Sequence, residues 1–192
     1  MNVALRKPMT IADFLAWEDR QPAKHEFDGF AVTAMTGVTE AHAAIQRNLL
    51  TALALRLRGM PCRPYGSDLK VEVAGSIRYP DAFVVCTKLG PKERVVRDPV
   101  VIFEILSEST ASLDHGRKNE EYRDTPSVRR YVILEQDAVR ATVFAREDGR
   151  WVGSLHSGAA VLDLPEIDIT LPLAELYEGV ALGEEDAAAA QG

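Results

Sequence analysis

The chain is 192 residues long, 46% hydrophobic and 27% charged, with a formal net charge of −7, enough for one well-formed core and short for two. The acidic balance argues mildly against a protein that coats nucleic acid by long-range attraction, although Glu184, Glu185 and Asp186 lie in a terminal stretch and local basic patches remain compatible with it. Cys62 and Cys86 match no metal or redox spacing and make no disulfide framework, which fits a reducing cytoplasm. Residues Met1 to Pro8 lack an apolar h-region and no apolar run reaches membrane-spanning length, so neither secretion nor membrane insertion is expected.

In chain order, Thr10 reads as the N-cap of a short helix, with Asp13 three residues on and Ile11, Phe14 and Leu15 at helical spacing. Gln21-Pro22 ends it. Glu26 to Met35 reads as strand, turn and strand, with Asp28-Gly29 as the hairpin signal. Glu40 to Arg58 is the strongest helix, free of Gly and Pro and closed by Gly59 and Pro61. Its apolar stripe runs through Ile45, Leu49, Leu53 and Leu57, with His42 at its start. Asp68 to Val73 alternates, placing Leu69, Val71 and Val73 on one face and Asp68, Lys70 and Glu72 on the other. Tyr79 to Cys86 and Val100 to Leu106 are near-continuous apolar runs, the pattern of strands covered on both faces. A helix is predicted from about Asp114 to Arg123, then strands at Arg130 to Leu134, Ala138 to Arg146 and Trp151 to Leu155, the last two joined by Asp148-Gly149. The expected architecture is one α/β domain over residues 1–180, a mixed twisted sheet flanked by helices, followed by a disordered acidic, alanine-rich tail over 181–192.

Two acidic residues interrupt the apolar strands: Asp81 and Glu104. A carboxylate inside a buried strand is costly unless its charge is compensated. A divalent cation shared by both would compensate the two together; separate buried partners, a backbone N–H or an arginine, would do so singly. Asp81 shares a strand face with Phe83 and Val85, and Glu104 with Ile102 and Leu106. If the strands are neighbours with those faces aligned, the carboxylates converge as the hard oxygen pair that Mg²⁺ requires. On the following helix Asp114, Lys118 and Tyr122 are spaced i, i+4, i+8, along one face. Lys118 there either points back at the acidic pair or makes an ordinary surface pair with Asp114.

The succession Glu26-Phe27-Asp28-Gly29, His42 on a helix, Tyr79-Pro80-Asp81, Asp98 to Ser107 around Glu104, then Asp114 with Lys118 and Tyr122, resembles the Uma-two family of restriction-endonuclease-like proteins within the PD-(D/E)XK nuclease superfamily. The likeness runs from about Thr10 to Leu155. It implies a mixed sheet flanked by helices, dependence on Mg²⁺ (Mn²⁺ substituting) and hydrolysis of DNA phosphodiesters. It also implies Asp81 as the PD aspartate and Glu104 as the second acidic residue, both metal-binding. The superfamily's strand lysine, two residues after the acidic position, is Leu106 here. The resemblance implies Lys118 as its migrated replacement, with Lys70 as rival. Glu26 is an accessory acid or merely starts a strand. His42 contacts a metal-bound water or phosphate, or is a hydrogen-bonded structural residue. Asp68 is a weaker candidate.

No Gly-rich phosphate loop, zinc spacing or Gly-x-Ser-x-Gly elbow is present, and nothing places Ser107 with His115 as nucleophile and base. Arg47, Arg56, Arg58 and Arg63, and separately Arg117, Arg123, Arg129 and Arg130, make either phosphate-contacting patches or solvated faces. The expected function is therefore a Mg²⁺-dependent DNA endonuclease. The alternatives are a nuclease-like binding or assembly module and a hydrolase of another phosphoester. A homodimer would suit double-strand cleavage, but no dimerisation motif is visible.

Overall fold

Thr10 starts the first helix as expected. Its hydroxyl accepts from the Asp13 N–H at 3.1 Å while the Asp13 carboxylate accepts from the Thr10 N–H at 3.1 Å, a reciprocal capping box for α1 (Ile11–Glu18). In this computed structural model residues 9–106 and 113–182 are described, except for the side chains of 113–115. Residues 183–192, most of the expected tail, and the Ser107–His115 pairing fall outside the described residues.

α1 packs Phe14 on Phe27 and Ile77 as a small cluster of its own, over a five-stranded mixed sheet in the order β2-β1-β5-β4-β7. Its strands are β1 (His25–Phe27), β2 (Val32–Ala34), β4 (Lys70–Val73), β5 (Ser76–Arg78) and β7 (Val95–Val96). A second, six-stranded mixed sheet runs β11-β10-β9-β8-β6-β3. It is built from β3 (Arg63–Gly66), β6 (Ala82–Val85), β8 (Val101–Leu106), β9 (Arg130–Glu135), β10 (Arg140–Glu147) and β11 (Arg150–Ser157). The chain is thus the single mixed α/β domain expected, with the one sheet divided in two.

The six-stranded sheet separates two cores. One face, with Ala82, Val84, Val101, Phe103, Val132 and Leu134, meets Ile45, Leu49 and Leu53 of α2 (Glu40–Arg56), as the stripe on that helix predicts. The other face, with Phe83, Ile102, Tyr131 and Ile133, meets Val71 and Val73 of β4 and Tyr122 of α3 (Leu113–Asp124). A C-terminal hairpin, β12 (Val161–Leu164) with β13 (Ile169–Pro172), and the short α4 (Leu173–Leu176) complete the first core through Leu162, Leu164, Leu171 and Leu173. The sequence reading does not include this unit.

Two further differences have local causes. β4 and β5 form a hairpin across Ala74 (φ 43°) and Gly75 (φ 82°), the two positive-φ positions of a type I′ turn. Ala is a poor sequence signal for positive φ, so β5 goes unpredicted. β3 is an edge strand containing Pro64 and Gly66, both depleted from strands. Its antiparallel register with β6, Arg63 opposite Val85, brings the next pair, Cys62 and Cys86, side by side. They are joined as a disulfide. This corrects the expectation of unpaired thiols, and cysteine usage no longer argues for a reducing compartment. Among the described residues no helix is long and apolar enough to cross a membrane.

Candidate active site

β6 and β8 are antiparallel neighbours, with Ala82 opposite Phe103 and Phe83 opposite Ile102. One further step in that register sets Asp81 opposite Glu104. Directly opposed residues point to the same face, so the alignment required for convergence is met at the strand ends.

Glu104 is buried, 6% exposed. Its Oε1 accepts from the Tyr122 hydroxyl at 2.8 Å and faces the Lys118 ammonium at 3.2 Å. The i, i+4 spacing on α3 carries both donors to one oxygen, and no described residue bonds Oε2. Burial pushes the Glu104 carboxyl up to about 7, with Asp81 and Glu26 adding repulsion; Lys118 and Tyr122 offset part of this. The same burial and the facing Glu104 charge hold the Tyr122 phenol well above its ordinary range, so Tyr122 acts as a donor.

Asp81 is held by two other elements. Its Oδ1 lies 2.9 Å from His42 Nε2, in the first turn of α2, and its Oδ2 accepts from the Ile105 N–H at 2.7 Å. Gln46, one turn further along α2, donates to the Asp81 carbonyl at 2.8 Å. His42 therefore orients Asp81 directly.

Glu26 joins through β1. Its Oε2 is 3.6 Å from Lys118 Nζ and 3.1 Å from Arg78, and its Oε1 accepts from the Tyr79 N–H at 3.0 Å. Arg78 is only 3% exposed and bonds both oxygens of Glu121 at 2.8 Å, with Ser76 as a further donor to Glu121. Burial lowers the guanidinium's pKa, but Glu121 and Glu26 outweigh it and keep the group firmly charged. Arg78, Glu121 and Gln46 are absent from the sequence reading. Two signals were there to use: Glu121 stands i+3 from Lys118 and Gln46 stands i+4 from His42.

Lys70 is placed elsewhere. Its ammonium pairs with buried Glu18 and lies 5.6 Å from the Tyr79 ring centroid, and none of these contacts is shared with Glu104. Asp68 pairs with Lys24 at 2.5 Å, at the surface. Asp114 belongs to α3, but its side chain lies outside the described residues. Half of the patch arginines are ion-paired: Arg56 binds Glu175, Arg130 binds Glu166, Arg123 binds Asp124 and Arg117 binds Asp28.

The chain is similar to two uncharacterized proteins of Synechocystis sp. (strain ATCC 27184 / PCC 6803 / Kazusa). With slr1290 it is 29% identical over 173 residues, covering 88% of this chain and 91% of that protein. With sll1609 it is 28% identical over 160 residues, covering 79% and 89%. Its fold matches a crystal structure from Anabaena variabilis ATCC 29413, described as "a putative nuclease belonging to DUF820", with a TM-score of 0.73 and 16% identity over 91% of this chain and all of that one. A family model described as "Uma2: Putative restriction endonuclease" matches residues 11–174, through β13 and well past the Leu155 limit of the motif likeness. On that match, the chain belongs to the Uma2 family.

Proposed function

We propose that this protein is a divalent-metal-dependent nuclease that hydrolyses DNA phosphodiesters, with Asp81 and Glu104 holding Mg²⁺ or Mn²⁺. The observation that carries the reading is the opposed register of these two carboxylates, with Lys118 and Tyr122 converging on one oxygen of Glu104. The family's description as "Putative restriction endonuclease" and that of the Anabaena structure as "a putative nuclease" support it.

The donor set suits a hard cation. Among the described residues no group of three or more His, Cys, Asp or Glu side chains forms a metal cage. A two-carboxylate site that leaves room for waters and substrate oxygens is the arrangement Mg²⁺ favours. Bound there, the ion would acidify water and neutralise charge on the phosphoryl oxygens. The protein's own groups have separable tasks. Tyr122 fixes the Glu104 rotamer, His42 and the Ile105 N–H fix Asp81, and Lys118 places positive charge beside the pair, where an anionic transition state gains from it. Glu26 keeps Lys118 extended toward Glu104.

The test is nicking of supercoiled plasmid with Mg²⁺ or Mn²⁺ by the wild type and by Asp81→Ala, Glu104→Ala and Lys118→Met. The carboxylate variants should lose cleavage, and Lys118→Met should slow it by about 10²–10³-fold, the loss typical of one preorganised electrostatic contact. Equal behaviour of all four proteins would sink the assignment.

One observation favours a second reading, a nuclease-like binding module. Both Asp81 oxygens are already hydrogen-bonded and Lys118 is clamped between Glu104 and Glu26. Titration calorimetry separates the two: a metal site gives Mn²⁺ binding heat that Asp81→Ala removes, and the module gives none.

A further inference from the structure

The β1–β2 hairpin carries Glu26 into the site at one end and holds Phe30 in solvent at the other. Phe30 is 88% exposed, the most exposed of the large hydrophobic side chains among the described residues. The turn explains the exposure. Asp28 and Ala31 close it (Asp28 N–H to Ala31 carbonyl, 3.2 Å), leaving Gly29 at φ 86° and Phe30 as the two central residues. Glycine supplies the positive φ at the tip, and Phe30 beside it has no strand partner to cover it.

This tip is braced. The Asp28 carboxylate accepts from the Phe30 N–H at 2.8 Å and the Ala31 N–H at 2.6 Å, and also binds the Arg117 guanidinium at 2.6 Å. Arg117 lies over the Phe30 ring, 5.6 Å from its centroid, so one ring face rests on a cation and the other is open. Arg117 immediately precedes Lys118 on α3. The same hairpin and the same helix turn therefore meet twice, once at the catalytic cluster and once at the tip. Phe30 is four residues from Glu26, a span of at most about 13 Å of strand. That is no more than about four steps of the 3.4 Å rise per nucleotide along a duplex axis.

A rigid, cation-backed aromatic open on one face fits a flat π-system. On an acidic chain, stacking supplies affinity that long-range attraction does not. We propose that Phe30, backed by Arg117, is a stacking platform for an unpaired nucleobase of the substrate, a few nucleotides from the Asp81–Glu104 site. The ligand class rests on the nuclease reading; the platform is an addition to it. It implies a preference for single-stranded, frayed or distorted DNA over intact duplex.

The test measures fluorescence anisotropy of a labelled oligothymidylate and of a blunt duplex, with Mg²⁺, in the Glu104→Gln background, which removes a carboxylate charge and cleavage together. Phe30→Ala and Phe30→Leu should each weaken single-strand binding about tenfold, the equivalent of 1.4 kcal/mol. Phe30→Trp should keep the affinity, with indole emission quenched by the oligonucleotide. Such an exposed side chain can be replaced without unfolding the protein, and the urea midpoint of each variant verifies this. Three outcomes overturn the platform: no binding of the single strand by the parent protein, unchanged affinity in both Ala and Leu variants, or full affinity in Leu, which would reveal a generic apolar contact. Unchanged affinity together with dissociation of an oligomer by Phe30→Ala in sedimentation velocity would identify the tip as a contact between copies. Plasmid cleavage by otherwise wild-type proteins keeps the two readings apart. Phe30-dependent binding without any cleavage sinks the nuclease assignment alone, and cleavage with Phe30-independent binding sinks the platform alone.

Discussion

Glu104 shows how a strand tolerates a buried carboxylate: one oxygen takes a lysine and a tyrosine, both delivered by a single helix face. Strand period fixes the face of Glu104 and helix period sets Lys118 and Tyr122 one turn apart, but spacing alone leaves Lys118 free to pair with Asp114 instead. The choice between Lys118 and Lys70 was not legible. Lys70 sits on the polar face of its strand, but which buried acid meets that face depends on α1 packing, which brings Glu18. Arg78 carries no sequence signal for a similar reason: its strand is only Ser76–Arg78, too short for a periodic pattern. Its buried guanidinium holds two carboxylates, Glu121 and Glu26. Removing it strands both charges, so Arg78→Met should lower unfolding free energy by about 3–5 kcal/mol, read from urea denaturation. Arg78→Met with Glu121→Leu should recover most of that loss in the same measurement. If the double variant is no more stable than the single one, the Arg78–Glu121 pair is not what the fold depends on.

A cap marks α1 in the sequence and an apolar stripe marks α2, whereas α4, which has no side-chain cap, goes unmarked and the short strands and turns are marked only where their residues are typical. Asp148-Gly149 carries its turn at φ 47° and 76° with typical residues; Ala74-Gly75 carries the same kind of turn without them. The link between α1 and the five-stranded sheet is polar as well as apolar: Glu18 accepts from Lys70, from the Tyr79 hydroxyl at 2.6 Å and from the His25 N–H at 3.3 Å. Burial pushes the Glu18 carboxyl up, but these three donors outweigh it and hold it below its ordinary 4.5. The folded state therefore binds this proton more weakly than the unfolded chain does. The stabilisation is complete above about pH 4.5 and is lost as pH falls through the depressed folded value. Glu104, pushed up to about 7, titrates above that window. Denaturation midpoints followed downward from pH 5 should decline less steeply in Glu18→Gln than in the wild type; parallel curves would show that Glu18 does not carry the acid limb. β3 has its own tether. The Cys62–Cys86 bond closes a loop of sequence separation 24, which chain entropy equates to about 3 kcal/mol. Urea unfolding with and without reductant should differ by that amount, and Cys62→Ser should show no further effect of reductant.

Across the whole molecule, the six-stranded sheet keeps the two cores apart and brings Asp81 and Glu104 to one place at its edge of pairing, where α2, α3 and the β1–β2 hairpin meet. Composition predicted one core because it measures how much apolar material exists, not how a sheet divides it. The charge distribution matters at the same scale. The net charge is −7, and Arg56, Arg78, Arg94, Arg97, Arg130 and Arg140 are each paired to a carboxylate of the same chain, so these six are not free to displace counterions from a phosphate backbone. Each neutralised phosphate contributes a slope of about −0.7 on single strands in a plot of log affinity against log salt. Lys118 and Arg117 are the cations beside the site, and each already faces carboxylates of this chain; with two phosphate contacts at most, oligothymidylate binding should show a slope no steeper than about −1.4. It should lie well short of the roughly −4 or steeper expected of a protein with six or more phosphate contacts. Binding that survives salt in this way is what a stacking contact provides, and Phe30→Ala should lower affinity equally at every salt concentration while leaving the slope unchanged. A steep slope in the wild type would instead reveal a cationic track along the surface, drawn from residues such as Arg47, Arg58, Arg63 and Arg129 that the ion pairs among the described residues leave out.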